Sequence, residues 1–151
     1  WPDGGEAPGN EILRMSRVEI IPQLAEGKNQ IDISTPLTIR YRAYNQVANL
    51  ELVSEMLLFN AAGECIFVLT HEAVKCHKGY IEGECSIPGN FLNDSSYFIN
   101  FHFFHANRDT LFLFPECLHF TVEDLAEKKG WYAKWWGAVR PSFPLKVINV
   151  Q

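Results

Sequence analysis

Glu82 and Glu84 lie two residues apart in a stretch that reads as a strand. That spacing puts both carboxylates on one face about 7 Å apart, a separation that suits an inverting glycosidase pair. Such catalysis also needs one of the two desolvated so that its pKa rises. With Gly79 and Gly83 beside them, they read instead as a solvated strand face. His71, Cys76, His77 and Cys85 offer imidazole and thiolate donors of the kind that hold tetrahedral zinc. Their spacing matches no knuckle or finger, so packed or solvated side chains are expected and no metal site. There is no Gly-x-Ser-x-Gly elbow to present an acyl-transfer nucleophile. Nor is there a glycine loop followed by Lys to cradle a phosphate, so the chain is not expected to hydrolyse nucleotide. The expectation is a non-enzymatic, cofactor-free protein.

Binding chemistry is richer. If Tyr97, Ile99, Phe101 and Phe103 face a core, the period of two sends Phe98, Asn100, His102 and Phe104 outward. By the same rule Leu118, Phe120 and Val122 point inward and leave His119 and Thr121 outside, while a neighbouring strand presents Glu55, Leu57 and Phe59. A pyranose has apolar C–H faces that stack on aromatic rings and a rim of hydroxyls that need placed hydrogen-bond partners. Asn100, His102, Phe104, His119, Thr121, Phe59 and Glu55 are therefore candidate glycan-binding residues, with Trp135 from the tail added. An exposed row of Phe and His needs a cover, and a tail that folds over the face to complete a second small core is the competing account. Trp131, Tyr132, Trp135 and Trp136 are open between ligand platform and lid. Arg140 is open between a bidentate contact to an acidic sugar and a structural salt bridge.

These side chains need a scaffold of strands. The chain has 151 residues, 47% hydrophobic and 13% aromatic, enough for one domain with a genuine core. A formal charge of −5 with singly scattered basic residues argues against nucleic acid, and no apolar run is long enough for membrane insertion. Residues 1–10 are rich in Gly and Pro and read as a linker, with the fold expected over residues 11–151. Strands are expected from Ile12 to Ile21, Leu37 to Tyr44, Leu50 to Phe59, Cys65 to Thr70, Gly79 to Ile87, Tyr97 to Ala106 and Leu118 to Val122. A short extra strand is expected at Leu111 to Phe114. Asn60 to Glu64, Pro88-Gly89-Asn90 and Asn107-Arg108-Asp109 supply the turns. The fold class is all-β, an antiparallel immunoglobulin-like β-sandwich. Leu125 to Gly130 allows one helical turn, and Leu145 to Val150 allows a last strand after Pro141 and Pro144.

Several segments together resemble a known family. They are Ser34-Thr35-Pro36-Leu37-Thr38-Ile39-Arg40-Tyr41, Leu58-Phe59-Asn60 ahead of Gly63-Glu64, and Tyr97 to Phe103 after Phe91-Leu92-Asn93. More specific is the ending, Leu118-His119-Phe120-Thr121-Val122-Glu123-Asp124, then Gly130-Trp131, then Gly137-Ala138-Val139-Arg140-Pro141. The chain resembles the C-terminal carbohydrate-binding domain of Wzt-type nucleotide-binding subunits, which belong to ABC transporters exporting O-antigen polysaccharide. The resemblance covers nearly the whole chain and implies a cytoplasmic domain at the inner face of the bacterial inner membrane. It further implies an upstream ATPase domain joined through residues 1–10 and a transmembrane transporter subunit as partner. Because the family includes domains that exchange a terminal strand between protomers, it also implies a homodimer, with the C-terminal extension open between swapped and not. Bulky Phe and His residues from Phe98 to Phe104 depart from the family's smaller ones, so ligand specificity is not carried over. The alternatives are a dimerisation or docking module of the transporter, or a secreted lectin-like domain, the last favoured by a disulfide between Cys85 and Cys117.

Overall fold

A computed structural model describes residues 1, 6–125 and 135–150. Among them there is no helix, and eight strands carry the fold: β1 (Leu13–Pro22), β2 (Leu37–Asn45), β3 (Leu50–Asn60), β4 (Cys65–Thr70), β5 (Val74–Cys76), β6 (Gly79–Ile87), β7 (Ser95–His105) and β8 (Thr110–Val122). All strand pairs are antiparallel. One sheet runs β1-β2-β6; the other runs β4-β3-β7-β8, with β5 following β4 along the same edge of β3. That division of strands is the immunoglobulin arrangement.

Alternation dictates which side chains meet between the sheets. In β2 the residues Leu37, Ile39, Tyr41 and Ala43 are all buried, and in β7 so are Tyr97, Ile99, Phe101 and Phe103. Each fully buried aliphatic or aromatic side chain contributes about 2 kcal/mol through loss of apolar surface to water. Tyr41 stands edge-on to Phe101 at 5.2 Å and to Phe103 at 5.1 Å, and its hydroxyl shares a 2.7 Å hydrogen bond with Ser54. Gly83 makes room for that ring: a Cβ there would come within 2.1 Å of Tyr41 Cε1. At the start of β7 the Tyr97 hydroxyl donates to the Asn93 carbonyl at 2.6 Å, the tyrosine corner typical of this sandwich.

Three features differ from the sequence reading. The expected strands at Leu111 to Phe114 and Leu118 to Val122 are one strand, β8, because Pro115 sits in an irregularity that the ladder bridges. There Glu116 takes φ 47° and its amide donates to Asn100 Oδ1 at 2.7 Å. The three-residue β5 carries no alternation long enough to read. Residues 145–150 pair with no strand among the described residues and stand in solvent.

Ahead of β1, Ala7 is buried and Asn10 Oδ1 accepts from the amides of Ile12 and Leu13, so residues 7–10 pack on the sandwich. Between β1 and β2, buried Asp32 fastens the loop. It pairs with Lys28 at 2.8 Å and accepts from the Ser34 amide and the Ser34 and Thr35 hydroxyls. The Lys28 ammonium, aided by these donors, holds its carboxyl well below the usual carboxylate range.

Candidate functional site

The pairing register places the outward side chains of the larger sheet in rows that cross the strands. Phe59 of β3 lies opposite Phe98 of β7, and Phe98 opposite His119 of β8. Phe59 and Phe98 stack with centroids 5.0 Å apart and planes 7° apart, and the His119 imidazole follows at 6.0 Å. Beside this row, Ser96 and Thr121 share a hydroxyl hydrogen bond of 3.1 Å. One step along, at the roughly 7 Å spacing of alternate strand residues, Leu57 faces Asn100; the next row is Glu55, His102 and Leu113. Phe104 closes the set, with its ring edge-on to His102 at 6.2 Å.

Seven of the eight candidate residues therefore share one surface, because β3, β7 and β8 are consecutive neighbours and keep the period of two. Not all are equally available. The Asn100 carbonyl oxygen is taken by the Glu116 amide, which leaves its Nδ2 as a donor. Glu55 pairs with Arg108 of the β7–β8 turn at 3.4 Å. Phe98, which stacks on Phe59 and has the tilted His119 ring on its other side, is the centre of the surface, with Leu57 on the next row.

Trp135 lies elsewhere. It belongs to a turn docked at the end of the sheet where β7 begins, and its Nε1 donates to the Val139 carbonyl at 2.9 Å. The dock centres on Asn93, which is buried. Its Nδ2 donates to the carbonyls of Trp135 and Gly137, both at 2.9 Å. Its Oδ1 accepts from Arg140 Nε and from the Asp94 amide, both at 3.0 Å. The Arg140 amide donates to Phe91 at 2.7 Å, and its guanidinium pairs with Asp124 at 3.1 Å and Asp94 at 3.7 Å. Arg140 is thus held in an internal ion-pair network. The possible helical turn over Leu125 to Gly130 extends into residues outside the described ones, and Trp131 and Tyr132 lie outside them as well. In the sequence Asn93 has a place only within the family resemblance, with no role for its side chain; the tyrosine corner uses its backbone carbonyl, which any residue supplies and which therefore leaves no signal.

Glu82 and Glu84 form the solvated face expected of them, cross-paired with Arg42 at 3.5 Å and Arg40 at 2.7 Å on β2. The Arg42 guanidinium also covers the Tyr80 ring at 4.1 Å. His71 Nε2 accepts from the Ser54 amide at 2.9 Å, where β3 changes partner from β4 to β5. Cys65, Cys76, Cys85 and Cys117 are free thiols. Burial pushes the Cys76 and Cys85 thiols up and that of Cys117 up to about 12.

No family model and no curated protein matches this chain. Solved structures do. Beta-glucuronidase 2 of Bacteroides uniformis, covalently bound to cyclophellitol-6-carboxylate aziridine, aligns at TM-score 0.45 and 14% identity over 64% of this chain and 12% of its own. The cupredoxin domain of amoB from Nitrosocaldus yellowstonii gives 0.44 and 12% over 83% and 96%. Neither likeness is strong enough to bear on this chain. The crystal structure of the C-terminal domain of Wzt gives TM-score 0.70 at 12% identity over 95% of this chain and 90% of that one. With the strand order β1-β2-β6 and β4-β3-β7-β8, the chain has the fold of the Wzt C-terminal domain.

Proposed function

We propose that this chain is a non-catalytic domain that recognises O-antigen polysaccharide in the cytoplasm for an ABC transporter. It would be joined to an ATPase domain upstream and work with a transmembrane subunit at the inner face of the bacterial inner membrane. The likeness of fold to the Wzt C-terminal domain supports that setting. One observation carries the binding claim: the Phe59–Phe98–His119 row on the outer face of a sheet, flanked by the Ser96–Thr121 hydroxyl pair and the Asn100 amide. Rings for C–H stacking sit within one strand step of groups that bond hydroxyls. The described tail residues make their hydrogen bonds to Phe91, Asn93, Asp94 and Asp124 rather than to this row. Titration with the polysaccharide, followed by chemical shifts, should perturb Phe98, Asn100 and His119 first, and Phe98→Ala should abolish the response. Saturating polysaccharide with no shift on this face would refute the reading.

A second reading concerns assembly. Residues 143–150 project apolar side chains without a partner strand, Leu145 being 96% and Val150 86% exposed. A homodimer in which each tail adds a strand to the other protomer would cover them. Size-exclusion chromatography should show a dimer that becomes a monomer when the chain is cut after Ser142.

A further inference from the structure

The turn that carries Trp135 also builds a cleft. Trp135, Trp136, Gly137 and Ala138 form one wall, and Asn60, Glu64, Asn93, Asp94 and Ser95 the other, around about 440 Å³. Trp136 is 94% exposed. Its backbone is nonetheless held, because the carbonyls on either side of it, those of Trp135 and Gly137, both accept from the buried Asn93 amide. A large ring presented to solvent from a backbone held by buried hydrogen bonds is a stacking platform whose backbone ordering is met in folding rather than on binding.

The opposite wall is polar, and its sign is negative. Asn60 commits its Oδ1 to the Ala62 and Glu64 amides, which leaves Nδ2 to donate. Ser95 Oγ donates to the Ser96 carbonyl and keeps its acceptor capacity. Glu64 and Asp94 bring carboxylates. Arg140, the cation of this region among the described residues, is engaged by Asp94, Asp124 and Asn93. A carboxylate or phosphate on a ligand would meet two acids, while Arg140, the one cation here among the described residues, is already paired, and like charges brought together cost binding. Hydroxyls and ammonium groups would be accepted.

We infer that this cleft is a second saccharide subsite, distinct from the sheet face. It takes an uncharged or amino-bearing pyranose stacked on Trp136 and bonded by Asn60, Glu64 and Asp94, and it rejects acidic sugars. The inference rests on the polysaccharide reading and adds to it the class of sugar.

The test uses the whole chain labelled with ¹⁵N and three soluble probes: a neutral hexose oligosaccharide, a chitosan oligosaccharide and an oligogalacturonate. Trp136 is assigned through Trp136→Phe. The neutral or the amino probe should shift the Trp136 indole and the Asn60 and Asp94 amides, and the uronate should leave them still. Trp136→Ala should weaken that binding about tenfold with an unchanged melting temperature, since the ring is 94% exposed. Glu64→Gln should relax the exclusion of the uronate. A uronate that binds at Trp136 as well as the others, or Trp136→Ala binding as tightly as the parent, overturns the inference. Shifts at Phe98 and His119 without any at Trp136 overturn it while leaving the sheet-face reading intact. Shifts at Trp136 alone uphold it and count against the sheet face, and no shift at either place with any probe sinks both.

Discussion

Asn93→Ala removes the one side chain on which the tail's docking converges. Four hydrogen bonds end on it: two from Nδ2 to the Trp135 and Gly137 carbonyls, and two on Oδ1 from the Asp94 amide and the Arg140 guanidinium. Neutral bonds are each worth about 1 kcal/mol net and the charged one about 2 kcal/mol, and the orphaned groups recover part of this by turning to water. The expected loss is about 3 kcal/mol, which for a chain of this size lowers the melting temperature by roughly 6–12 °C. Hydrogen exchange should localise the effect. The Arg140 amide, bonded to the Phe91 carbonyl at 2.7 Å, should lose protection, while the Ile99 and Phe103 amides of β7 keep theirs relative to global unfolding. Asn93→Asp retains the acceptor for Arg140 and loses both donors, so it should fall between the two. A melting temperature within about 1 °C of the parent, together with unchanged protection at Arg140, would refute the claim that Asn93 holds the tail.

Gly83→Val drives a side chain into the Tyr41 ring, which Phe101, Phe103 and the Ser54 hydroxyl hold in place; denaturant titration should show a loss of about 2–3 kcal/mol, and a neutral result would mean the two sheets are free to part there. Asp32 has a carboxyl whose folded pKa lies below its unfolded one, so its contribution is complete above the unfolded value of about 4 and fades as pH falls below it. Urea midpoints from pH 5 to pH 2.5 should therefore drop more steeply for the parent than for Asp32→Asn, and parallel curves would contradict the Lys28–Asp32 account. Alkylation of the native protein should modify exposed Cys65 first and Cys117, half-buried and protonated, last; an early reaction at Cys117 would show that β8 opens at Pro115.

The strands were legible wherever apolar and polar residues alternate over many positions. Leu37 to Tyr44 and Tyr97 to Phe103 lie where the period of two places them, and with them the core and the outward Phe98, Asn100, His102 and Phe104. Leu111 to Phe114 and Leu118 to Val122 read as two strands where one irregular strand runs, since the alternation breaks around Pro115 and the Glu116 amide bonded to Asn100 on the neighbouring strand bridges the break. Local pattern fails in β5 for a different reason: three residues are too few to show a period.

The amino-acid sequence by itself determined which face of each strand is buried, because side-chain direction along a strand is a property of the backbone. It likewise determined that seven of the candidate residues point outward. Tertiary structure decided what those residues meet. Strand neighbours far apart in the chain, Phe59, Phe98 and His119, became one row of ring contacts through the β3-β7-β8 order. The tail tryptophans show the difference most sharply. Sequence left Trp135 and Trp136 open between platform and lid; one buried amide, Asn93, holds the turn that carries them, in which the Trp135 indole bonds the Val139 carbonyl while Trp136 stands in solvent. Contacts across 42 and 44 residues of chain leave no trace in local pattern, since neither end of the bond constrains the residue types beside the other.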